Sequence, residues 1–288
     1  MEIIADSPIF SLLGFSTKLC FKSKLVTVLH GDQSFMKTAF IERIAKVVPE
    51  AFLEGAELNP DNKDSVLSCI RSWIVELGEL ERSTKNSQGG LKAFITREVD
   101  TVRPPYARAD IKKPRQTHFI ATVNGTDFLK DETGNSRYAV IELSDAVDMD
   151  KLNKLLGWHF NGTGGIRQVD AEQLKQFWLE LKHLYLGGFA WMLTKREQQL
   201  SKLAADKHVD KGCWYVAIFE HVTAYQGSEA RTGEWQTSTQ VCQYLGLPTR
   251  NVRQVGKALT LLAKEGHIEV KLLRGTQRYL IPTINHSN

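Results

Sequence analysis

The chain has 288 residues, 42% of them apolar and 24% charged, proportions that suit one large or two modest globular domains and exclude disordered or collagen-like structure. No apolar run approaches the roughly 20 residues of a membrane span, and the first ten residues carry acids where a secretory leader carries bases, so a cytoplasmic protein with no membrane partner is expected. The net charge of +4 hides two basic segments, 85–116 and 231–288, each with eight bases against three acids, and two such islands on an acidic body point to a polyanionic partner.

In chain order, residues 24–29 form a short β-branched run ending at His30-Gly31, and 37–48 then carry helical spacing: strand, loop, helix. Residues 66–77 begin amphipathic and pass into Trp73-Ile74-Val75-Glu76-Leu77, a buried-strand pattern. Residues 91–96 read as helix. Residues 103–108 and 111–116 are extended, proline-broken and basic, with Ala109-Asp110 as a hairpin tip. Two more apolar runs follow at 118–123 and 138–143, the first ending at Asn124-Gly125. Strands alternating with helices predict a three-layer α/β core. Beyond about Asp145 helices dominate, at 171–186, 195–207, 214–225, 238–245 and 251–265. Two short strands at 268–272 and 277–281, joined at Arg274-Gly275, close the chain. Three helices and a two-stranded ribbon is the order of a winged helix-turn-helix, so the expected domains are 1–205 and 206–288. The four cysteines, Cys20, Cys69, Cys213 and Cys242, lie far apart without metal spacing and read as reduced thiols.

Gly31-Asp32-Gln33-Ser34-Phe35-Met36-Lys37-Thr38 follows a strand and opens a helix. A phosphate loop reads G-x-x-x-x-G-K-[ST]: its backbone N–H groups and helix N-terminus hold phosphates, the lysine reaches their outer oxygens, and the hydroxyl binds magnesium. Gly31, Gln33, Lys37 and Thr38 fit this pattern. Met36 stands where the second glycine belongs, and methionine does not readily take positive φ, so a different loop path or impaired phosphate approach is expected. The alternative is an ordinary strand–turn–helix with a solvated lysine. The next strand ends in Glu76, with Glu79 three residues on; one carboxylate would hold a metal and the other polarise a water. Asn124 either positions water near a γ-phosphate or merely closes a turn before Gly125. Arg137, in a turn before a strand, is either a finger reaching a neighbouring copy's nucleotide or a surface residue at a strand edge.

These motifs stand in a fixed order. With Lys92-Ala93-Phe94, Arg103-Pro104-Pro105-Tyr106, Thr122-Val123-Asn124, Phe128-Leu129, Asp131-Glu132-Thr133-Gly134-Asn135 and Arg137, residues 31–143 resemble the virulence-associated protein E family of phage and genomic-island P-loop proteins. The resemblance implies an AAA+-like P-loop NTPase core akin to superfamily 3 helicases, assembled as a homo-oligomeric, hexameric ring that binds ATP and Mg²⁺. It implies phosphate and magnesium binding by Lys37 and Thr38, metal and water handling by Glu76 and Glu79, a sensor at Asn124 and a trans finger at Arg137. The basic hairpin would point into the channel. Arg103, Arg108, Lys112, Lys113 and Arg115 would then grip single-stranded DNA phosphates, and Tyr106 would either stack on a base or pack inside.

The C-terminal module is read from its residues alone. Thr237-Ser238 caps one helix, Gly246-Leu247-Pro248 turns the chain, and the next helix carries Arg250, Arg253 and Lys257 opposite Val252, Val255, Leu259 and Leu262. That suits a recognition helix in duplex DNA, with Arg274 and Arg278 on the wing; a module that contacts protein is the alternative. The function expected is an ATP-dependent, DNA-binding helicase-like motor in replication of a phage or mobile element, with other replication proteins as partners. A non-hydrolysing regulator bound to DNA or to a replication complex is the runner-up that Met36 favours, and a sequence-specific transcriptional regulator is a third class.

Overall fold

The computed structural model describes residues 25–48, 50–78, 80, 88–103, 106, 108–129, 137–190, 192–224 and 232–283. The chain divides into two units, Met1–Asp210 and Lys211–Asn288. The first carries β1 (Val26–His30), α1 (Lys37–Ala45), β2 (Phe52–Leu53), α2 (Lys63–Arg71), β3 (Ile74–Leu77), α3 (Gln88–Ile95), β4 (Val99–Val102), β5 (Ile111–Pro114), β6 (His118–Val123) and β7 (Tyr138–Glu142). It continues with α4 (Met149–Leu156), β8 (Trp158–Phe160), β9 (Ile166–Gln168), α5 (Ala171–Leu186) and α6 (Lys195–Asp206). The second carries α7 (Cys213–Ala224), β10 (Thr232–Gln236), α8 (Ser238–Tyr244), α9 (Val252–Lys264), β11 (Val270–Leu273) and β12 (Thr276–Thr283).

The core of the first unit is a parallel sheet in the order β2-β3-β6-β1-β7. Every residue of β3 and β6 is buried, which is why these strands read as unbroken apolar runs rather than as alternating ones. Both sheet faces are covered. Val26, Val28, Val75, Leu77 and Ala121 pack with Leu91 and Phe94 of α3, whereas Leu29, Ile74 and Ile120 pack with Ile41 and Ala45 of α1. Burial of each such side chain contributes about 1.5–3 kcal/mol. Capping fixes the surrounding helices: Asn62 accepts from the amides of Asp64 and Ser65 at α2, and Thr194 with Glu197 forms a capping box at α6.

The basic hairpin lies earlier than its sequence suggests. Its strands are β4 and β5, with Val99 opposite Pro114 and Val102 opposite Ile111, so the first strand begins at Val99 rather than at Arg103. The reason is Asp100, which is 2% exposed and is drawn inward by Arg115. The two-residue β2 and the β8–β9 hairpin are too short to leave a periodic signal, and α4 was not singled out from sequence although its residues are strongly amphipathic.

In the second unit β10 joins the ribbon to make a three-stranded antiparallel sheet, β10-β12-β11. Val255, Ala258, Leu259 and Leu262 recur at helical spacing on α9 and close over Ile218 of α7, Val241 of α8 and Tyr279 and Ile281 of β12. Among the described residues no helix is long and apolar enough to cross a membrane.

Candidate functional site

At the end of β1 the Gly31 amide donates to the Val123 carbonyl at 3.3 Å, so the loop leaves the sheet beside the end of β6. A Cβ on Gly31 would lie 2.9 Å from the Phe35 ring and 3.2 Å from Leu143, so any larger residue there would have to push the Phe35 ring aside. The loop then passes through two left-handed residues, Ser34 (φ 72°) and Met36 (φ 58°), before the Phe40 amide bonds the Met36 carbonyl and α1 begins. The expectation that Met36 would avoid positive φ is therefore wrong. The path is tolerated by a non-glycine residue at a cost of about 1–2 kcal/mol, and the Met36 side chain is half exposed in the cleft wall.

Lys37 folds back under this loop. Its Nζ donates to the Gly31 carbonyl, the Asp32 carbonyl and Asn124 Oδ1, each at 2.8 Å, and the residue is 6% exposed. Burial pulls its pKa below the ordinary lysine value, against the opposing attraction of Asp32. The solvated-lysine alternative is removed. Thr38 Oγ1 lies 3.4 Å from Glu76 Oε1, and Glu76, 1% exposed, also accepts from the Thr122 hydroxyl and, at 2.7 Å, from the Gly55 amide. Residues from β1, α1, β3 and β6 thus converge at the carboxyl ends of the strands, where neighbours in the sheet are not neighbours in the chain, the usual crevice for a ligand in an open α/β sheet. The cleft has a volume of about 720 Å³ and is lined by Gln33, Met36, Lys37, Thr38, Glu76 and Asn124, together with further acids, Glu42, Glu54 and Glu57. Its chemistry is divided: backbone N–H groups and an ammonium at one side, hydroxyl and carboxylate oxygens at the other.

Sequence reasoning missed Gly55, Thr122, Glu54 and Glu57. Thr122 had a signal, since it stands two residues before Asn124 and so shares its side of the chain. Gly55 and the two glutamates follow a strand of two residues and had none. Glu79 lies outside the described residues. Beside the loop, the His30 ring sits 4.5 Å from that of His208, and burial, then the neighbouring His208, holds the His30 pKa below its ordinary value. Among the described residues no group of three or more His, Cys, Asp or Glu is placed to hold a metal ion.

The other sequence candidates separate. Arg137 precedes Tyr138, which pairs with Val26 at the start of β1, so it lies at the end of the sheet opposite the cleft, about 13 Å of strand away. It is half-buried, and its Nε has no hydrogen-bond partner among the described residues. Arg103, Arg108 and Lys112 are exposed on the hairpin, and Tyr106 is fully exposed with φ 63°, which excludes internal packing. Two hairpin bases require correction. Arg115 is 5% exposed, paired through Nε with Asp100 at 2.8 Å and stacked 4.4 Å over Phe94, so it cannot reach DNA. Lys113 donates to the Ile70 carbonyl at 2.9 Å and serves the end of α2 instead. In the second unit Arg250, Arg253, Lys257 and Arg274 are exposed, whereas Arg278 is half-buried and donates to the Trp235 carbonyl at 3.3 Å. Lys271, not singled out from sequence, lies 3.7 Å over the Trp235 ring.

The family model for the virulence-associated protein E-like domain matches residues 16–210, which contain the whole cleft. The chain belongs to that family. No curated protein matches the chain. Among solved structures, the apo NrS-1 C-terminal region (305-718) is similar at 12% identity over 96% of this chain and 71% of its own, with a TM-score of 0.42. The A form of that region gives 14% identity over 96% and 70%, again at 0.42. The match to the virulence-associated protein E-like domain agrees with the resemblance drawn from residues 31–143 and extends it on both sides.

Proposed function

We propose that the first unit is a P-loop ATPase of the AAA+ and superfamily 3 kind, and that the chain is a helicase-like DNA motor in the replication of a phage or related mobile element. The observation that carries this reading is the cross-strand pairing of Lys37 with Asn124 and of Thr38 with Glu76, side chains from α1 brought onto the ends of β6 and β3. Loop amides and Lys37 would bind the phosphates of ATP. Lys37 must leave the Gly31 and Asp32 carbonyls to do so, and Asn124, released with it, would then face the terminal phosphate. Thr38 and Glu76 offer two hard oxygens, a set that suits magnesium, which keeps most of its waters. When bound, the ion neutralises charge on the phosphate oxygens. Glu79 would polarise the attacking water, and Arg137, turned away from its own cleft, would serve that of another copy in a ring. Arg103, Arg108, Lys112 and Tyr106 would contact single-stranded DNA, with no sequence preference.

The second unit follows the helix–strand–helix–helix–strand–strand order of a winged helix, with Arg250, Arg253, Lys257 and Arg274 available to duplex DNA. One observation favours the second reading, a regulator that binds without hydrolysis. Lys37 is already satisfied by three oxygens, and Met36 lies in the cleft wall, so a phosphate must displace both. ATP turnover with and without single-stranded DNA, beside Lys37→Ala and Met36→Gly, decides between them. DNA-stimulated turnover lost in Lys37→Ala is the expected result. No turnover in the natural protein, gained in Met36→Gly, would leave the binding protein.

A further inference from the structure

A second cavity of the first unit has a volume of about 380 Å³ and shares no lining residue with the cleft. Its walls are built by the end of α4, by β8 and by the start of α5. Asp150, Asn153 and Lys154 stand on one side of α4, and Gly157 ends that helix with φ 73°. A Cβ on Gly157 would lie 1.9 Å from the Asp170 carbonyl oxygen. The Gly157 carbonyl in turn accepts from the Val169 and Asp170 amides at 2.8 and 3.1 Å, so the two helix ends abut. Trp158 Nε1 donates to the Arg43 carbonyl at 3.2 Å, which fixes its ring as one wall, and Phe160, 48% exposed, adds a second ring. Asn153 is 7% exposed, and its Oδ1 is buried with no hydrogen-bond partner among the described residues. An unpaired buried acceptor weakens a fold, and beside a cavity it calls for a ligand that donates. Asp150 and Asp170 are both exposed; Asp170 spends one oxygen on the Glu172 amide at 3.0 Å and keeps the other. Against these two carboxylates the lining holds one lysine, Lys154, and no arginine.

We propose that this cavity binds an arginine side chain presented by a partner protein. The guanidinium would lie between the carboxylates of Asp150 and Asp170 and against the Trp158 and Phe160 rings. Rotation of the Asn153 amide about its last torsion would bring Oδ1 into line with one of its N–H groups. Arginine suits the site better than lysine: a planar fork of five donors reaches acceptors on two helices at once and stacks on aromatic faces, whereas an ammonium is a compact, strongly hydrated point charge. Two exposed carboxylates repel a phosphate chain, so nucleic acid is not the occupant. The inference uses no residue of the cleft and does not depend on nucleotide binding.

The test titrates the full chain with the blocked tripeptide acetyl-Gly-Arg-Gly-amide at millimolar concentrations. The readout is the Trp158 indole N–H resonance, assigned by its loss in Trp158→Phe. A saturable shift is expected, with the same peptide carrying citrulline for arginine at least about tenfold weaker, because citrulline keeps the shape and removes the charge. Asp150→Lys should weaken the arginine peptide by at least about tenfold with the melting temperature unchanged, since the side chain is exposed. Asn153→Leu should also weaken it, and should raise the melting temperature, because an apolar side chain of similar size removes the unpaired oxygen. No shift with the arginine peptide, an equal response to the citrulline peptide, or undiminished binding by Asp150→Lys would each overturn the proposal. So would an Asn153→Leu variant that is less stable yet binds as before, since the amide would then be structural. A Trp158 response to a thymidine oligonucleotide and none to the peptide would give the cavity to nucleic acid instead.

Discussion

The β4–β5 hairpin and helix α9 are alike in sequence, each a stretch of bases interleaved with apolar residues, and each was expected to lie on DNA. They differ in how many of their bases reach solvent. On α9 and the turn before it, Arg250, Arg253 and Lys257 are all exposed, because Val255, Ala258, Leu259 and Leu262 claim one side of the helix and leave the other free. On β5 side chains alternate. Lys112 points out, while Lys113 is drawn to the end of α2 and Arg115, two residues on, is buried against Asp100. A basic strand beside a core commits part of its charge to the fold. A basic amphipathic helix does not.

The largest test of that contrast is Arg115→Ala. Removing one partner of a buried, stacked ion pair leaves Asp100 charged and alone, at a cost of about 3–5 kcal/mol. Denaturant unfolding should show that loss, with Arg253→Ala in the second unit close to the natural protein. A stable Arg115→Ala variant with weakened DNA binding would return Arg115 to the surface and erase the distinction.

The same buried cation acts on the next strand. His118 opens β6, and burial, assisted by Arg115, lowers its pKa from the usual 6.5 to about 3. The unfolded chain takes up a proton near pH 6.5 and the folded chain does not until about pH 3. The stability contribution is therefore whole above pH 6.5 and is lost as pH falls, at up to about 1.4 kcal/mol per pH unit. His30, also lowered, adds in the same sense. The lowered carboxyls of Glu42 and Glu265 act further down, below their ordinary value of 4.5, so the window from 6.5 to 4.5 belongs to the histidines. Unfolding curves in that window should flatten in His118→Gln; an unchanged slope would mean that His118 is protonated in the fold.

Much of this was legible in the sequence. The fully buried strand at 118–123, the strand at 138–142 with its first three residues buried, and the helix at 171–186 carry enough residues to declare their period, and Lys37, Thr38, Glu76 and Asn124, read from the order of loop, carboxylate and amide, line one cleft. What was not legible depends on tertiary partners. Nothing local distinguishes Arg115 from Arg108, because the difference is Asp100, fifteen residues away and across the hairpin. Met36 was misjudged because propensity is an average, and the surrounding loop, pinned at Gly31 and Lys37, holds one residue away from it.

A smaller effect is expected for Lys113→Ala. Its ammonium bonds the last turn of α2, where a cation also offsets the carbonyl end of the helix, so about 0.5–1 kcal/mol of stability should be lost. DNA affinity should hold. A drop in affinity without loss of stability would place Lys113 with the exposed bases.

The smallest change in stability, and the sharpest comparison of function, comes from the bases that do reach solvent. Arg108→Ala and Lys112→Ala on the hairpin, and Arg253→Ala and Lys257→Ala on α9, should leave the melting temperature unchanged, since all four side chains are exposed. Each that contacts a phosphate should lower affinity uniformly across sequences and reduce the slope of log affinity against log salt by about 1. The hairpin pair should act on single-stranded DNA and the α9 pair on duplex, because a fully exposed Tyr106 near exposed bases suits a strand whose bases are free to stack, whereas a helix with a basic side suits a groove. If all four variants weakened both forms of DNA equally, the two regions would form one undifferentiated electrostatic surface, and the recognition-helix reading of α9 would fall while the polyanion partner remained.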